Sequence, residues 1–235
     1  MINKKIYLSP SNQPANAYVV GNTNEKVQME DLAKRIKAIL DSEYECETVM
    51  ATLSMGIGYN ERPKEAKDKG CEVYIAIHSN AGGAGKASGA VAFYHPNQTL
   101  GKALAASIVK ELNAICPIKS NRTSAIQSGM AQFNGQGYAE IRNPYNRGLI
   151  AVLAETDFHD HPQAAQWIIS NKDAIARAYV TAIVSALRIT TKQAQAPTGK
   201  KLYKVQVGAY SLKANAEVQL ARLRAAGFDG YIKYE

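Results

Sequence analysis

Cysteine is scarce. Cys46, Cys71 and Cys116 are odd in number and widely spaced, so they outline neither a disulfide framework nor a C-x-x-C metal knuckle. Reduced, mostly buried thiols are the expectation. Long apolar runs are missing as well. None approaches the roughly 18 residues that a membrane-crossing helix needs, and no membrane span is expected. Lys4 and Lys5 are followed only by Ile6-Tyr7-Leu8 before Ser9-Pro10, too short for a signal-peptide core. The chain therefore reads as made in the cytoplasm. The four histidines form no compact H-E-x-x-H pattern. The glycine-rich stretch 81–89 does not make a phosphate cradle either, because Ala87 stands where Ser or Thr would be needed.

What is present is ordinary for a globular protein: 46% apolar and 20% charged residues in a chain of 235. That length supports one good core and a small second unit. The net charge of +8 is uneven. Residues 189–235 hold eight Lys and Arg against Glu217, Asp229 and Glu235. A basic tail favours a polyanion as partner. It carries no recognisable nucleic-acid reader motif, so nucleic acid is not the expected partner.

Hydrophobic periodicity gives an α/β layout. Lys5 to Ser9 is a strand candidate closed by the Pro10 to Pro14 loop. From Glu25, Met29, Leu32, Ala33, Ile36, Ile39 and Leu40 repeat at helical spacing, with Asn22, Thr23 or Asn24 as N-cap. Val73 to Ile77 and Gly148 to Ala154 are apolar runs that suit strands covered on both faces. Strands and helices alternate between and after them, which predicts a mainly parallel sheet with helices on both faces. Residues 189–200 lose all periodicity and read as a linker. Residues 201–235 then read as a small C-terminal β-α-β unit, with Tyr203, Val205, Val207 and Ala209 alternating as a strand. The division expected is 1–188, 189–200 and 201–235.

Both buried strands end in chemistry. One stops at His78-Ser79-Asn80 and the other at Glu155, while Glu25 opens a helix. In open α/β sheets ligands sit at the carboxyl ends of strands. By residue type alone, His78 is an ordinary hydrogen-bonding group and Glu25 an ordinary first-turn acid facing the helix dipole. Taken together, nitrogen and oxygen donors plus an extra carboxylate match what a hydrolytic zinc centre requires.

These residues carry a resemblance to the zinc-dependent N-acetylmuramoyl-L-alanine amidases of the Amidase_3 type, which include endolysins and autolysins. The resemblance spans roughly residues 5–187. It rests on Ser9-Pro10-Ser11-Asn12-Gln13, Asn24-Glu25-Lys26, Arg62, Ile77-His78-Ser79-Asn80-Ala81, Glu140-Ile141-Arg142-Asn143, and Val152 through Asp160. It implies a peptidoglycan hydrolase that cleaves the amide bond between N-acetylmuramic acid and L-alanine. It implies zinc held by Glu25 and His78, and Glu155 as general base and acid. Arg142, Glu140 and Asn80 are implied substrate contacts, although Glu140 and Arg142 are equally explained as a structural ion pair. The family's first zinc histidine maps onto Asn12, so Asn12, its neighbour Gln13, or another group such as His159 or His161 has to complete the shell.

The tail has its own likeness. Leu202 to Tyr210, Asn215-Ala216-Glu217 and Ala225 to Phe228 resemble the first half of a SPOR repeat, a peptidoglycan-binding module. Half a module implies that two tails pair, giving a homodimer through residues 201–235. The protein is expected to act on the cell wall after release or lysis. Two further readings remain open from sequence: a peptidoglycan-binding protein with impaired catalysis, and a zinc peptidase of other specificity.

Overall fold

The structure, a computed structural model, describes residues 5–192 and 206–233. Its contacts divide the chain into Met1–Lys192 and Gln193–Glu235.

The first unit is built on a six-stranded sheet. Its strands are β1 (Lys5–Pro10), β2 (Glu47–Met50), β3 (Val73–Asn80), β4 (Val91–Tyr94), β5 (Ile126–Ser128) and β6 (Ile150–Phe158). They lie in the order β2-β1-β3-β6-β4-β5. β1, β2, β3 and β6 are mutually parallel; β4 runs antiparallel to β6, and β5 is parallel to β4. The expected mainly parallel sheet is present, with β4 and β5 reversed at one edge.

Pleating sends alternate residues to opposite faces. Ile6 and Leu8, Val73, Ile75 and Ile77, and Val152 and Ala154 share one cluster with the apolar stripes of three helices. These helices are α1 (Glu25–Glu43), α3 (Thr99–Ile115) and α6 (Lys172–Leu187). Tyr7, Tyr74, Ala76, Ala151 and Leu153 form the other cluster. It is covered by α2 (Glu61–Asp68) and α4 (Ala139–Asn146) through Ala66 and Ile141. Before α6 lies α5 (Pro162–Ser170), the two meeting at Asn171.

Two local features shape the mouth of the sheet. Arg62 donates to the Leu53 carbonyl, the Ser9 hydroxyl and the Pro10 carbonyl, which fixes the exit of β1. Residues 81–90 link β3 to β4 and so cross the end of β6, which lies between them. The Asp160 carboxylate pins this crossing by accepting from the Gly82 and Gly83 amides at 3.0 Å. Asp157 accepts from the Gly89 amide at 2.9 Å. A Cβ on Gly83 would stand 2.1 Å from that of Ala87, so this glycine answers a packing need.

Residues 189–192, read from sequence as the start of a linker, pack back on the first unit. Ile189 is buried, the Glu45 amide bonds the Thr190 carbonyl, and the Lys192 amide bonds Glu43. The remaining linker residues, 193–200, lie outside the described residues. In the second unit α7 (Lys213–Ala225) forms as expected, with no buried residue. Residues 206–210 and 230–233 carry no strand, whereas 203–205 and 234–235 lie outside the described residues. The expected β-α-β unit is thus a helix with irregular flanks among the described residues. Its flanking apolar side chains, such as Val207, Phe228 and Tyr231, are exposed.

Candidate metal centre

His78 and Glu155 are paired in register on β3 and β6. Each continues the pleat side of its strand that faces α4: His78 follows Tyr74 and Ala76, and Glu155 follows Ala151 and Leu153. Parallel pairing therefore sets an imidazole beside a carboxylate at the sheet's carboxyl edge. Glu25 arrives from the other layer. Asn24 caps α1 by accepting from the Val27 amide, and the next residue projects its carboxylate into the mouth.

The three converge. One donor atom each from Glu25, His78 and Glu155 lies within 4.8 Å of the others. Glu25 Oε1 is 2.9 Å from His78 Nδ1 and also accepts from the Ser79 amide at 3.1 Å. Glu25 Oε2 accepts from Asn16 Nδ2 at 2.7 Å. On the far edge of the ring, Glu140 Oε2 is 2.9 Å from His78 Nε2.

The environment is dry and negative. Glu25 is 1% exposed, His78 6% and Glu140 7%. Glu155 is half-buried, with Oε2 sealed from solvent and lacking a hydrogen-bond partner; Glu140 Oε1 is in the same condition. Among the described residues no Lys or Arg pairs with these carboxylates; His78 is their only ion-pair partner. Burial raises the pKa of Glu155 to about 7, with the fields of Glu25 and Glu140 adding to burial and that of His78 opposing it. Burial works against the charge on His78, yet Glu140 and Glu25 hold its pKa well above the ordinary value. Burial also opposes ionisation of Glu25, but His78, Asn16 and the Ser79 amide outweigh it and keep its carboxyl below the usual range. Three carboxylates around one imidazole leave buried negative charge uncompensated, which is costly without a cation. One nitrogen and two oxygen donors this close together suit zinc.

The other sequence-expected residues fall as follows. Asn12 is half-buried, and Gln13 is the amide in contact, with Nε2 3.3 Å from His78 Nδ1. Asn80 caps its own turn by accepting from the Ala81 amide and lines a surface cleft with Arg122 and Phe158. Arg142 donates to the Gln136 carbonyl while Glu140 faces His78, so these two side chains form no ion pair with each other; two positions apart on a helix, they point to different faces. His159 is engaged with the Ser79 hydroxyl and carbonyl and stacks on Tyr18. His161 caps α5 by accepting from the Ala164 amide. Neither histidine belongs to the three-residue group. Asn16, which joins Gln13 to Glu25, was not singled out from sequence. Its only signal is its place on the same loop.

The family description N-acetylmuramoyl-L-alanine amidase (Amidase_3) matches residues 11–185. The chain belongs to this amidase family. Its function is accordingly that of a peptidoglycan amidase. The SPOR domain description matches residues 169–234, a span that includes α6 of the first unit. Among curated proteins, the sporulation-specific N-acetylmuramoyl-L-alanine amidase of Bacillus subtilis (strain 168) is 24% identical over 97% of this chain and 84% of its own length. The N-acetylmuramoyl-L-alanine amidase CwlM of Bacillus licheniformis is 25% identical over 98% of this chain and 85% of its own. Two solved structures share the fold. The N-acetylmuramoyl-L-alanine amidase of Clostridium difficile 630 superposes with a TM-score of 0.65 at 19% identity, covering 80% of this chain and 98% of that one. The catalytic domain of CwlV from Bacillus (Paenibacillus) polymyxa gives 0.64 at 17%, covering 80% and 99%.

Proposed function

We propose that this amidase cleaves the bond between N-acetylmuramic acid and L-alanine with the help of zinc held by Glu25 and His78, and that Glu155 moves the proton. The observation that supports this reading is the convergence of Glu25, His78 and Glu155, with Glu140 alongside, in a buried cluster where no Lys or Arg pairs with the carboxylates among the described residues. Zinc in such a site supplies Lewis acidity to the scissile carbonyl and lowers the pKa of water. The chain's own residues do the rest. Glu155, with a free oxygen and a pKa near neutrality, is matched to accepting a proton from water and returning it to the departing amine of L-alanine. Glu25 is fixed for ligation by the Ser79 amide and Asn16, so little reorganisation is needed. Gln13, or Asn12 beside it, offers an amide oxygen as a further donor. An amide is a weaker zinc ligand than imidazole, and this favours one alternative, a wall-binding protein of reduced catalytic power. The second unit would add wall affinity through its SPOR-like tail, with two copies pairing through residues 201–235.

Digestion of purified peptidoglycan by the full-length protein decides between the two readings. Zinc-dependent release of stem peptides with a free L-alanine amino group is the expected result, abolished in Glu155→Gln while zinc is still bound. Wall binding without release would establish the alternative, and a Glu155→Gln enzyme of undiminished activity would remove Glu155 from the chemistry.

A further inference from the structure

Glu140 is the one buried carboxylate of the centre that lies outside the group able to share an ion. It sits in the first turn of α4. That helix is firmly seated: Ile141 is fully buried, and Asn143 donates to the Gly58 and Tyr59 carbonyls at 2.7 and 3.0 Å. Glu140 Oε2 is 2.9 Å from His78 Nε2, on the ring edge opposite the one that meets Glu25 and Gln13 at Nδ1. His78 Nε2 and Glu140 Oε1 are sealed from solvent and have no other hydrogen-bond partner, so the facing carboxylate is what the Nε2 edge of the ring meets. No other ion pair engages Glu140 among the described residues.

We infer that Glu140 is a positioning residue for the metal centre: it holds the Nε2–H of His78, so that the ring is locked in one tautomer with the Nδ1 lone pair turned toward the ion shared with Glu25. This rests on the zinc reading above and assigns Glu140 to the ring rather than to the substrate. An imidazole can carry its single proton on either nitrogen, and a carboxylate against one nitrogen decides which. It also raises the basicity of the other, so that loss of such a partner typically weakens metal binding about 10- to 100-fold. The effect matters more here than in a shell with two imidazoles, because His78 is the only nitrogen donor in the group. The pleat explains the arrangement: the side of β3 that carries His78 is the side α4 covers.

The test uses full-length wild type, Glu140→Ala and the near-isosteric Glu140→Gln. Zinc affinity is measured by competition with a chromophoric chelator, and the His78 tautomer by long-range 15N–1H correlation on the zinc-loaded proteins. Melting of the metal-free forms controls for folding. The expected result is an Nε2–H tautomer in wild type and about 10- to 100-fold weaker zinc binding in Glu140→Ala. Glu140→Gln, whose amide oxygen can still accept from Nε2–H, should fall between the two. Excess zinc should restore most of kcat with KM for peptidoglycan little changed. If Glu140→Ala keeps wild-type zinc affinity and tautomer but raises KM, Glu140 is a substrate contact and the inference is overturned, with the zinc reading intact. Should Glu140→Ala fail to fold, Glu140→Gln alone decides: unchanged zinc affinity and an Nδ1–H tautomer in wild type overturn it. A wild-type chain that takes up no zinc overturns both the inference and the reading beneath it.

Discussion

Gln13 Nε2 and Glu25 Oε1 meet the same nitrogen of the same ring, at 3.3 and 2.9 Å from His78 Nδ1. On the zinc reading the side chain at position 13 lies beside the nitrogen that would face the ion, and an amide flip would present its oxygen instead. Gln13→His should tighten zinc binding by about tenfold, or ~1.4 kcal/mol, because imidazole is the better zinc donor. Asn12→His should gain less. A chelator-competition titration checks both; the opposite ranking would put position 12 in the shell.

Metal-free stability should fall between pH 5 and pH 8. Glu155 is raised from 4.5 to about 7 in the folded chain, so the folded state holds a proton that the unfolded state releases. The contribution is full below pH 4.5 and is lost as pH rises through about 7, on the order of 3 kcal/mol. His78 is raised too, and its contribution fades in the same direction. Glu25 is lowered and acts only below this window. On the zinc reading the ion would take the place of those protons, so the gap in Tm between zinc-loaded and metal-free protein should widen as pH rises. Calorimetry at three pH values reads this directly, and Glu155→Gln should flatten much of the metal-free slope.

Asp160→Ala removes the acceptor for the Gly82 and Gly83 amides. Loss of two charge-assisted bonds should cost roughly 1.5–3 kcal/mol. Faster hydrogen exchange at 82–86 should accompany it, with the amides of β3 unaffected. Unchanged exchange in the crossing would mean that the pin contributes nothing.

A chain ending after Arg188 should be less stable than one ending after Lys192. The shorter chain loses buried Ile189, the bond that the Thr190 carbonyl accepts from the Glu45 amide, and the bond that the Lys192 amide donates to the Glu43 carbonyl. Removing one buried isoleucine alone forfeits roughly 1.5–3 kcal/mol. Urea unfolding of the two truncations should show a lower midpoint for the shorter one, and identical midpoints would count against this account.

The central part of the site was readable because its residues end strongly patterned elements. Val73 to Ile77 is unbroken and apolar, so His78 had to emerge at a sheet edge, and the same holds for Val152 to Ala154 before Glu155. Asn24 and the stripe from Met29 to Leu40 announced α1. Three features escaped for local reasons. α4 has eight residues, Pro144 inside it and no side-chain N-cap, so neither its existence nor the aim of Glu140 shows in the pattern. β5 has three residues, too few for periodicity to register. The reversal of β4 depends on which neighbours it finds in the sheet, and an apolar run has no arrow. The tail shows the converse: alternation at 203–209 signals a strand, and its described part, 206–209, carries none.

Glu25 is at once the opening residue of a 19-residue helix, the acceptor for a backbone amide of β3 and one of the three side chains that converge at the centre. Whatever occupies the pocket is therefore riveted to both layers through a single side chain. Any change at this carboxylate is felt first at the opening turn of α1, while the buried stripe from Met29 to Leu40 keeps the rest of the helix seated.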